Sequence, residues 1–149
     1  MKNDIFGYFR NITKKWMSIV DKELAIYGVT HSDARLITLL CTDYPKGCSQ
    51  DELSMKVGID RTNVGRSIKK LHQMGYLSKE KDAQDGRSYI IKISGKGKEF
   101  KKKKLSKIQD TLEMVFSRGV AKSDIDKVIE ILKTIDKNVD EVIYYSLKK

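Results

Sequence analysis

Apolar residues near the start of the chain recur at steps of three and four, the spacing of one face of an α-helix. The pattern predicts a helix over residues 4–27 that ends at Gly28. Thr30 is expected to cap a second helix, with Asp33 in its first turn. The stripe on the first helix consists of Ile5, Phe9, Ile12, Trp16, Ile19, Val20, Leu24 and Tyr27.

The next segment predicts two helices joined by a tight turn at Gly58. Ser49 and Glu52 have the spacing of a capping box for the first helix. Asp60 can cap the second, which spans about 61–74. One face of that helix is apolar. The opposite face consists of Thr62, Arg66, Lys69 and Gln73 and bears no acidic residue. Because a solvent-exposed helix normally carries both acidic and basic side chains, we interpret this face as the one directed into a DNA groove.

A β-hairpin is predicted directly after these two helices. One strand starts at Tyr76 and ends near Lys81, and apolar side chains alternate along the returning strand from Tyr89 to Ile93. The residues from Asp82 to Arg87 form the tip. Two helices followed by a hairpin predict a winged helix-turn-helix, which places one helix in the major groove of DNA. The predicted fold class is mainly α with a small β-hairpin wing.

The last third of the chain predicts two further helices. Ser94 or Gly95 opens the first, Gly119 breaks it, and Ser123 is expected to cap the second. Apolar positions of the final helix are spaced 3, 4, 3, 4, 3, a heptad-like seam that implies a partner helix. Both chain ends together therefore predict a helical dimerisation region, with Ile5, Phe9 and Ile12 from the first helix and Ile125, Val128, Leu132, Ile135, Val139 and Val142 from the last.

Charge is concentrated in the centre of the chain. Residues 45–107 hold 17 Lys+Arg and 7 Asp+Glu, so this segment carries the whole net charge of +10. Such a distribution is typical of a module that binds a polyanion. We expect one domain over 1–149, with a DNA-binding lobe at 30–95 and helical dimerisation segments at 1–28 and 96–149. With no signal-peptide-like or membrane-spanning stretch, the chain is expected in the cytoplasm.

The residues from Asp85 to Gly97 resemble the wing signature of the MarR (multiple antibiotic resistance regulator) family. Asp85-Gly86-Arg87 has the Asp-x-Arg pattern, and the strand after it ends in a Ser/Thr-x-x-Gly helix start at Ser94. The element order is similar over nearly the whole chain. The resemblance implies a homodimeric transcriptional regulator that binds a pseudo-palindromic operator on double-stranded DNA. It further implies a repressor that a small, phenolic or aromatic effector releases.

Within this resemblance, Arg87 is expected to enter a narrow minor groove and Asp85 to orient it by a salt bridge. Arg66, Thr62 and Asn63 are candidates for contacts with base edges, since Arg can bind guanine and Asn can bind adenine. The candidates for phosphate contacts are basic side chains and a helix N-terminus: Ser49, Gln50, Arg61, Lys69, Lys70, Lys79 and Lys81.

Effector binding in such proteins often involves a crevice between the dimer helices and the winged lobe. The residues of this chain on the matching helices are Arg10, Trp16, Met17, Tyr27 and His31. They identify no particular ligand.

Two alternatives remain open. One is a thiol-based redox regulator of the same fold: Cys41 is expected to be a buried structural thiol and Cys48 to be the more exposed, sensing cysteine. The other is a non-specific architectural nucleic-acid binder. The chain shows no enzyme motif, and we expect no catalytic residue, no cofactor and no metal site.

Overall fold

The computed structural model describes residues 4–146, with side chains from 4 to 143. It is mainly helical with one two-stranded antiparallel hairpin, which confirms the predicted fold class. Its elements are α1 (Ile5–Ala25), α2 (His31–Thr42), α3 (Gln50–Val57), α4 (Arg61–Gln73), β1 (Leu77–Lys81), β2 (Tyr89–Ile93), α5 (Gly95–Phe100), a π-helical turn (Lys101–Leu105), α6 (Ser106–Ser117) and α7 (Lys122–Ser146).

The chain forms two compact units, one up to Ile108 and one from Gln109. The first contains the helix-turn-helix and the hairpin. The boundaries predicted for the lobe and the helical segments stay predictions, and residues 1–3 and 147–149 of those segments lie outside the described residues. No helix within residues 4–146 is both long and apolar enough to cross a membrane.

Helix starts follow the predicted capping residues. The Thr30 hydroxyl accepts from the Asp33 amide at 3.2 Å while the Asp33 carboxylate accepts from the Thr30 amide at 2.9 Å, a complete capping box. Ser49 and Glu52 form the same reciprocal pair on α3. Gly58 has φ +68°, a left-handed conformation that ends α3, and α4 begins three residues later at Arg61.

Two expectations for the C-terminal helices are corrected. The long helix after Ser94 contains a π-helical turn, in which the Ser106 amide donates to the Lys101 carbonyl five residues earlier. The last helix begins at Lys122 and not after Ser123. The Ala121 carbonyl accepts the first helical bond, from the Ile125 amide at 3.1 Å, so Ser123 lies within the first turn.

The core of the first unit is built from the apolar faces of α1 to α4 and the base of the hairpin. Each fully buried aliphatic side chain contributes about 1.5–3 kcal/mol relative to exposure. These side chains are Leu24, Leu36, Ile37, Leu40, Leu53, Val64, Ile68, Leu71 and Ile91, all at most 2% exposed.

Asp33 is a charged side chain in this core, with 1% of its surface exposed. Its carboxylate accepts from the Thr30 amide and binds the ammonium of Lys70 on α4. Burial acts to raise the pKa of Asp33, but hydrogen bonds from Lys70, Thr30 and Ser67 together outweigh it, and the pKa is lowered. The ionised carboxylate thus joins the start of α2 to α4.

We predict that Asp33→Asn lowers the free energy of unfolding by about 2 kcal/mol at pH 7, because the amide keeps the shape but loses the charge that Lys70 binds. The folded pKa lies below the ordinary 3.8, so the stabilisation is complete above that pH and disappears as the pH falls through the folded pKa. Urea unfolding between pH 7 and pH 3 measures this.

Asp43→Asn is the matched control, since Asp43 is an exposed carboxylate paired with Lys56 at 3.5 Å. It should leave the unfolding curve nearly unchanged. A difference between wild type and Asp33→Asn that persists undiminished at pH 3 would contradict the role given to the Asp33 charge.

Candidate nucleic-acid interface

Helix α4 presents the polar face that the sequence predicts. Val64, Ile68 and Leu71 are buried on one side. Thr62, Arg66, Lys69 and Gln73 are exposed on the other. Within residues 4–143 no ion pair involves Arg66 or Lys69, so both cations are accessible to an anion, although the charge of Arg66 contributes to lowering the pKa of Asp60. This face has the composition of a DNA-reading surface.

The start of α4 is fixed by Asp60. Its carboxylate accepts from the Asn63 amide at 3.0 Å, and this bond is the largest of the effects that lower the pKa of Asp60. The Asn63 carboxamide also donates to the same carboxylate. Asn63 must therefore leave Asp60 before it can bind a base edge, whereas Arg66 needs no such exchange.

Lys70 differs from the other basic residues of α4, and its expected phosphate contact stays a prediction. Its ammonium is half-exposed but bound to the buried Asp33 carboxylate. If Lys70 bound a phosphate instead, the Asp33 carboxylate would stay buried without its counter-charge, which would cost free energy. The Lys70 side chain therefore links α4 to Asp33 at the start of α2.

The start of α3 is also engaged by bonds within the chain, and the phosphate contacts expected of Ser49 and Gln50 stay predictions. The Ser49 hydroxyl donates to the Glu52 carboxylate at 2.9 Å and accepts from the Glu52 amide. The Gln50 carboxamide donates to the Arg61 carbonyl at 3.1 Å. Because Glu52 already neutralises this helix end, an anion is not favoured there.

Arg61 stays accessible although it is paired. Its Nε lies 3.0 Å from the Asp51 carboxylate, and both side chains are more than half exposed. A pair of this kind contributes little and exchanges readily for another anion. The structure is therefore compatible with the predicted phosphate contact of Arg61.

The wing is a regular hairpin with a structured tip. Its strands pair from Leu77 with Ile93 to Lys81 with Tyr89. Arg87 is exposed, as are Lys79 and Lys81 on β1. The wing thus presents three cations to solvent.

The predicted salt bridge between Asp85 and Arg87 is corrected. The Asp85 carboxylate accepts from the backbone amide of Arg87 at 3.0 Å. No ion pair joins these two side chains in this described part of the chain. Asp85 consequently shapes the turn and leaves the Arg87 guanidinium unpaired, since an Asp side chain two residues earlier reaches the main chain most easily.

Comparison with known proteins identifies the family. The family described as transcriptional regulator SarA/Rot matches residues 17–105, more than half of the chain. The chain belongs to the SarA/Rot family of transcriptional regulators. It is a winged helix-turn-helix regulator of the MarR/SlyA type, as the sequence resemblance implied, and the family is one of DNA-binding regulators rather than enzymes.

Individual relatives agree with this assignment. The chain is 25% identical over 134 residues to the HTH-type transcriptional regulator BilQ of Clostridioides difficile, with 88% of each chain covered. It is similar in fold to a MarR protein from Peptoclostridium difficile (TM-score 0.82, 20% identity, 95% and 90% covered). A MarR transcriptional regulator from Methanosarcina mazei Go1 gives a TM-score of 0.81 at 22% identity, with 95% and 99% covered.

The predicted effector residues of this SarA/Rot-family chain have mixed environments. Arg10 is exposed on α1, Trp16 and Met17 are half-buried, and His31 begins α2. Tyr27 packs edge-on against Phe100, with ring centroids 5.3 Å apart. Packing against Phe100 is thus a structural role for the Tyr27 ring. The assignment of these five residues to effector binding stays a prediction.

The exposures expected for the two cysteines are reversed. Cys48 is 3% exposed and exchanges two backbone hydrogen bonds with Ile91 of β2, at 3.1 and 2.8 Å. Cys41 is half-buried. Burial, with a smaller contribution from Glu52, raises the pKa of Cys48 to about 12. Since the thiolate is the reactive form, this environment disfavours Cys48 as an oxidant sensor.

The cysteines and histidines do not combine into a metal site. Within the described residues, no group of three or more His, Cys, Asp or Glu side chains is arranged to hold a metal ion.

We predict that iodoacetamide alkylates Cys41 in the native SarA/Rot-family regulator but reaches Cys48 only on unfolding. Burial and the raised thiol pKa both slow the reaction of Cys48. Peptide masses measured over time give the two rates, and the same reaction in concentrated urea, where both should react, is the control. Equal native rates would restore Cys48 as a candidate sensor.

Proposed function

We propose that this regulator binds a pseudo-palindromic operator on double-stranded DNA as a homodimer, with α4 of each copy in a major groove and each wing in a minor groove. The observation that carries the proposal is the exposed face of α4, where neither Arg66 nor Lys69 forms a salt bridge among the described residues. The net charge of +10 in residues 45–107 supports it.

Base readout is assigned to Arg66 first. A guanidinium can donate two hydrogen bonds to guanine in the major groove, and Thr62 stands one turn earlier on the same face. Phosphate contacts fall to Arg61, Lys69, Lys79 and Lys81, all exposed. Binding of this kind is typically 10⁻⁸ to roughly 10⁻¹⁰ M at physiological salt and weakens steeply as salt rises.

Arg87 is assigned to the minor groove. It stands at the exposed tip of the wing, and its backbone amide donates to Asp85, while its guanidinium forms no ion pair with any described residue. A narrow minor groove concentrates negative potential and attracts such a side chain.

Dimerisation is assigned to the exposed apolar side chains of the terminal helices. On α1, Ile5, Phe9 and Ile12 are each more than 40% exposed. On α7, Leu132 is 38% and Val139 51% exposed. Apolar surface repeated along a helix in this way is typical of a protein–protein interface.

Regulation is proposed to be repression released by a small effector. An effector that binds better to a form unsuited to the operator lowers DNA affinity by that difference in binding free energy. The half-buried Trp16 and Met17 on α1 are compatible with such a site.

We predict that Arg87→Ala weakens binding to a selected operator duplex by about 1–3 kcal/mol, because the minor-groove contact is lost. Fluorescence anisotropy at fixed salt measures the change. Arg118→Ala, which removes one exposed positive charge outside the helix-turn-helix and wing, is the control for net charge. If the two variants bind equally well, the wing does not contact this DNA.

We predict that Leu132→Asp yields monomer or aggregate, because a charge in the α7 seam opposes close packing of apolar side chains. Thr134→Asp adds the same charge on another side of α7, where the Thr134 hydroxyl donates to the Glu130 carbonyl of its own helix. It should stay dimeric. Sedimentation equilibrium compares them, and a well-folded Leu132→Asp dimer would refute the assignment.

A further inference from the structure

The C-terminal end of α4 is closed by a Schellman motif. Gly75 has φ +77° and its amide donates to the His72 carbonyl at 2.9 Å, while the Tyr76 amide donates to the Leu71 carbonyl at 2.9 Å. These bonds turn the chain out of α4 and into β1. The carbonyl groups of Met74, Gly75 and Tyr76 come after these acceptors and need donors from elsewhere in the chain.

The start of α5 supplies these donors. The Ser94 amide donates to the Tyr76 carbonyl at 3.0 Å, and the Ser94 hydroxyl donates to the Gly75 carbonyl at 2.7 Å. The Lys96 ammonium donates to the Met74 carbonyl at 2.7 Å. Three consecutive carbonyl groups at the end of α4 are therefore bonded by two residues that follow the second strand of the wing.

The two segments lie too close together for a side chain between them. A Cβ atom on Gly97 would be 2.3 Å from the Tyr76 carbonyl oxygen and 2.5 Å from Cδ1 of Ile93. Any other residue at this position would push α5 away from the end of α4. Gly97 thus allows the close approach on which the bonds from Ser94 and Lys96 depend.

Lys96 makes a second contact in the same place. Its Nζ lies 5.0 Å from the centroid of the Tyr76 ring, which is a cation–π geometry. Phe100, one turn later on the same face of α5, packs on the same ring with the two centroids 4.8 Å apart. Helix α5 therefore contacts both the backbone at the end of α4 and the first large side chain after it.

The charge of Lys96 suits this position. The C-terminus of a helix carries partial negative charge, which a cation stabilises, and a hydrogen bond from an ammonium group is stronger than one from a neutral donor. In residues 4–143 no ion pair involves Lys96. The pair of Lys70 with Asp33 joins α4 to α2, and the bond from Lys96 joins the end of α4 to α5.

We propose that Lys96 is a positioning residue for DNA reading, whose ammonium group holds the C-terminal end of α4 on α5 and so determines how Arg66 and Lys69 are presented. The inference rests on the function proposed for α4. Lys96 lies in the basic segment of residues 45–107, but it acts on DNA through α4 and not as a phosphate contact.

The first experiment measures the contact with α4 in the absence of DNA. Lys96→Met keeps most of the side-chain length and removes the charge and the donor, and Lys98→Met makes the same change at an exposed position of α5. Hydrogen exchange of the Gly75 and Tyr76 amides, followed by NMR, should be roughly tenfold faster in Lys96→Met and unchanged in Lys98→Met. Equal rates in the two variants and the wild type would overturn the proposal.

The second experiment compares a selected operator duplex with the same duplex carrying altered half-site bases. Lys96→Met should weaken operator binding by roughly three- to tenfold, because a smaller fraction of the protein has α4 in the reading orientation. The preference for the operator over the altered duplex should fall as well. The slope of log Kd against log salt should stay at the wild-type value, since no phosphate contact is lost.

A direct phosphate contact of Lys96 predicts a different result. The variant would then bind both duplexes more weakly by the same factor, and the salt slope would fall by about 0.9. That outcome would overturn the proposal. Faster amide exchange with unchanged operator affinity and preference would also overturn it, because Lys96 would then stabilise the fold without affecting DNA reading.

A conservative variant separates positioning from a general loss of folding. Lys96→Arg keeps a cation that can donate to the Met74 carbonyl and lie over the Tyr76 ring, so it should restore both the exchange rates and the operator preference. A Lys96→Arg protein that behaves like Lys96→Met would contradict the proposal. A wild type without operator preference would contradict the proposed function itself, and the exchange rates would still decide whether Lys96 holds the end of α4.

Discussion

The ion pair between Asp33 and Lys70 is the contact on which the packing of the first compact unit depends. Asp33 closes the capping box of α2, and the same carboxylate binds the lysine that extends from α4. A buried carboxylate is tolerated only where hydrogen bonds and a counter-charge satisfy it, so this pair restricts how α4 can lie against α2. The orientation of α4 in turn decides which of its side chains are exposed, and Arg66 and Lys69 are among them.

Local signals made most of the fold predictable from the sequence. Thr30, Ser49 and Asp60 cap helices because their side chains bond to amides three residues later, an interaction contained within one turn. The π-helical turn was not predictable, because the sequence of Lys101 to Lys104 does not distinguish an α-helix from a π-helix. The feature that marks the turn is a contact seen in the structure: the amide and hydroxyl of Ser106 both donate to the Lys101 carbonyl. Ala121 precedes α7 although Ser123 is the better capping residue, so the turn at Gly119 sets that boundary.

For the candidate site, the sequence predicted the exposed face of α4. It did not predict which side chains pair with one another inside the chain. The absence of acids opposite Val64 and Ile68 indicated the polar face of α4. The partner of Lys70 lies 37 residues away, and periodicity within one helix carries no information on such a contact. Asp33, an isolated acidic residue just before the apolar run of α2, was the signal that could have indicated a buried ion pair. Cys48 was misplaced for a similar reason, since its burial comes from pairing with Ile91 in the wing.

The central claim is that this SarA/Rot-family chain reads operator DNA as a dimer through α4. Selection of genomic fragments by the purified protein, followed by sequencing and titration at two salt concentrations, tests it most directly. We expect enrichment of a pseudo-palindrome whose half-sites are about one helical turn apart, because two copies related by a two-fold axis must reach successive major grooves. Binding without any enriched sequence, which simply disappears as salt rises, would contradict the claim and favour a non-specific architectural protein.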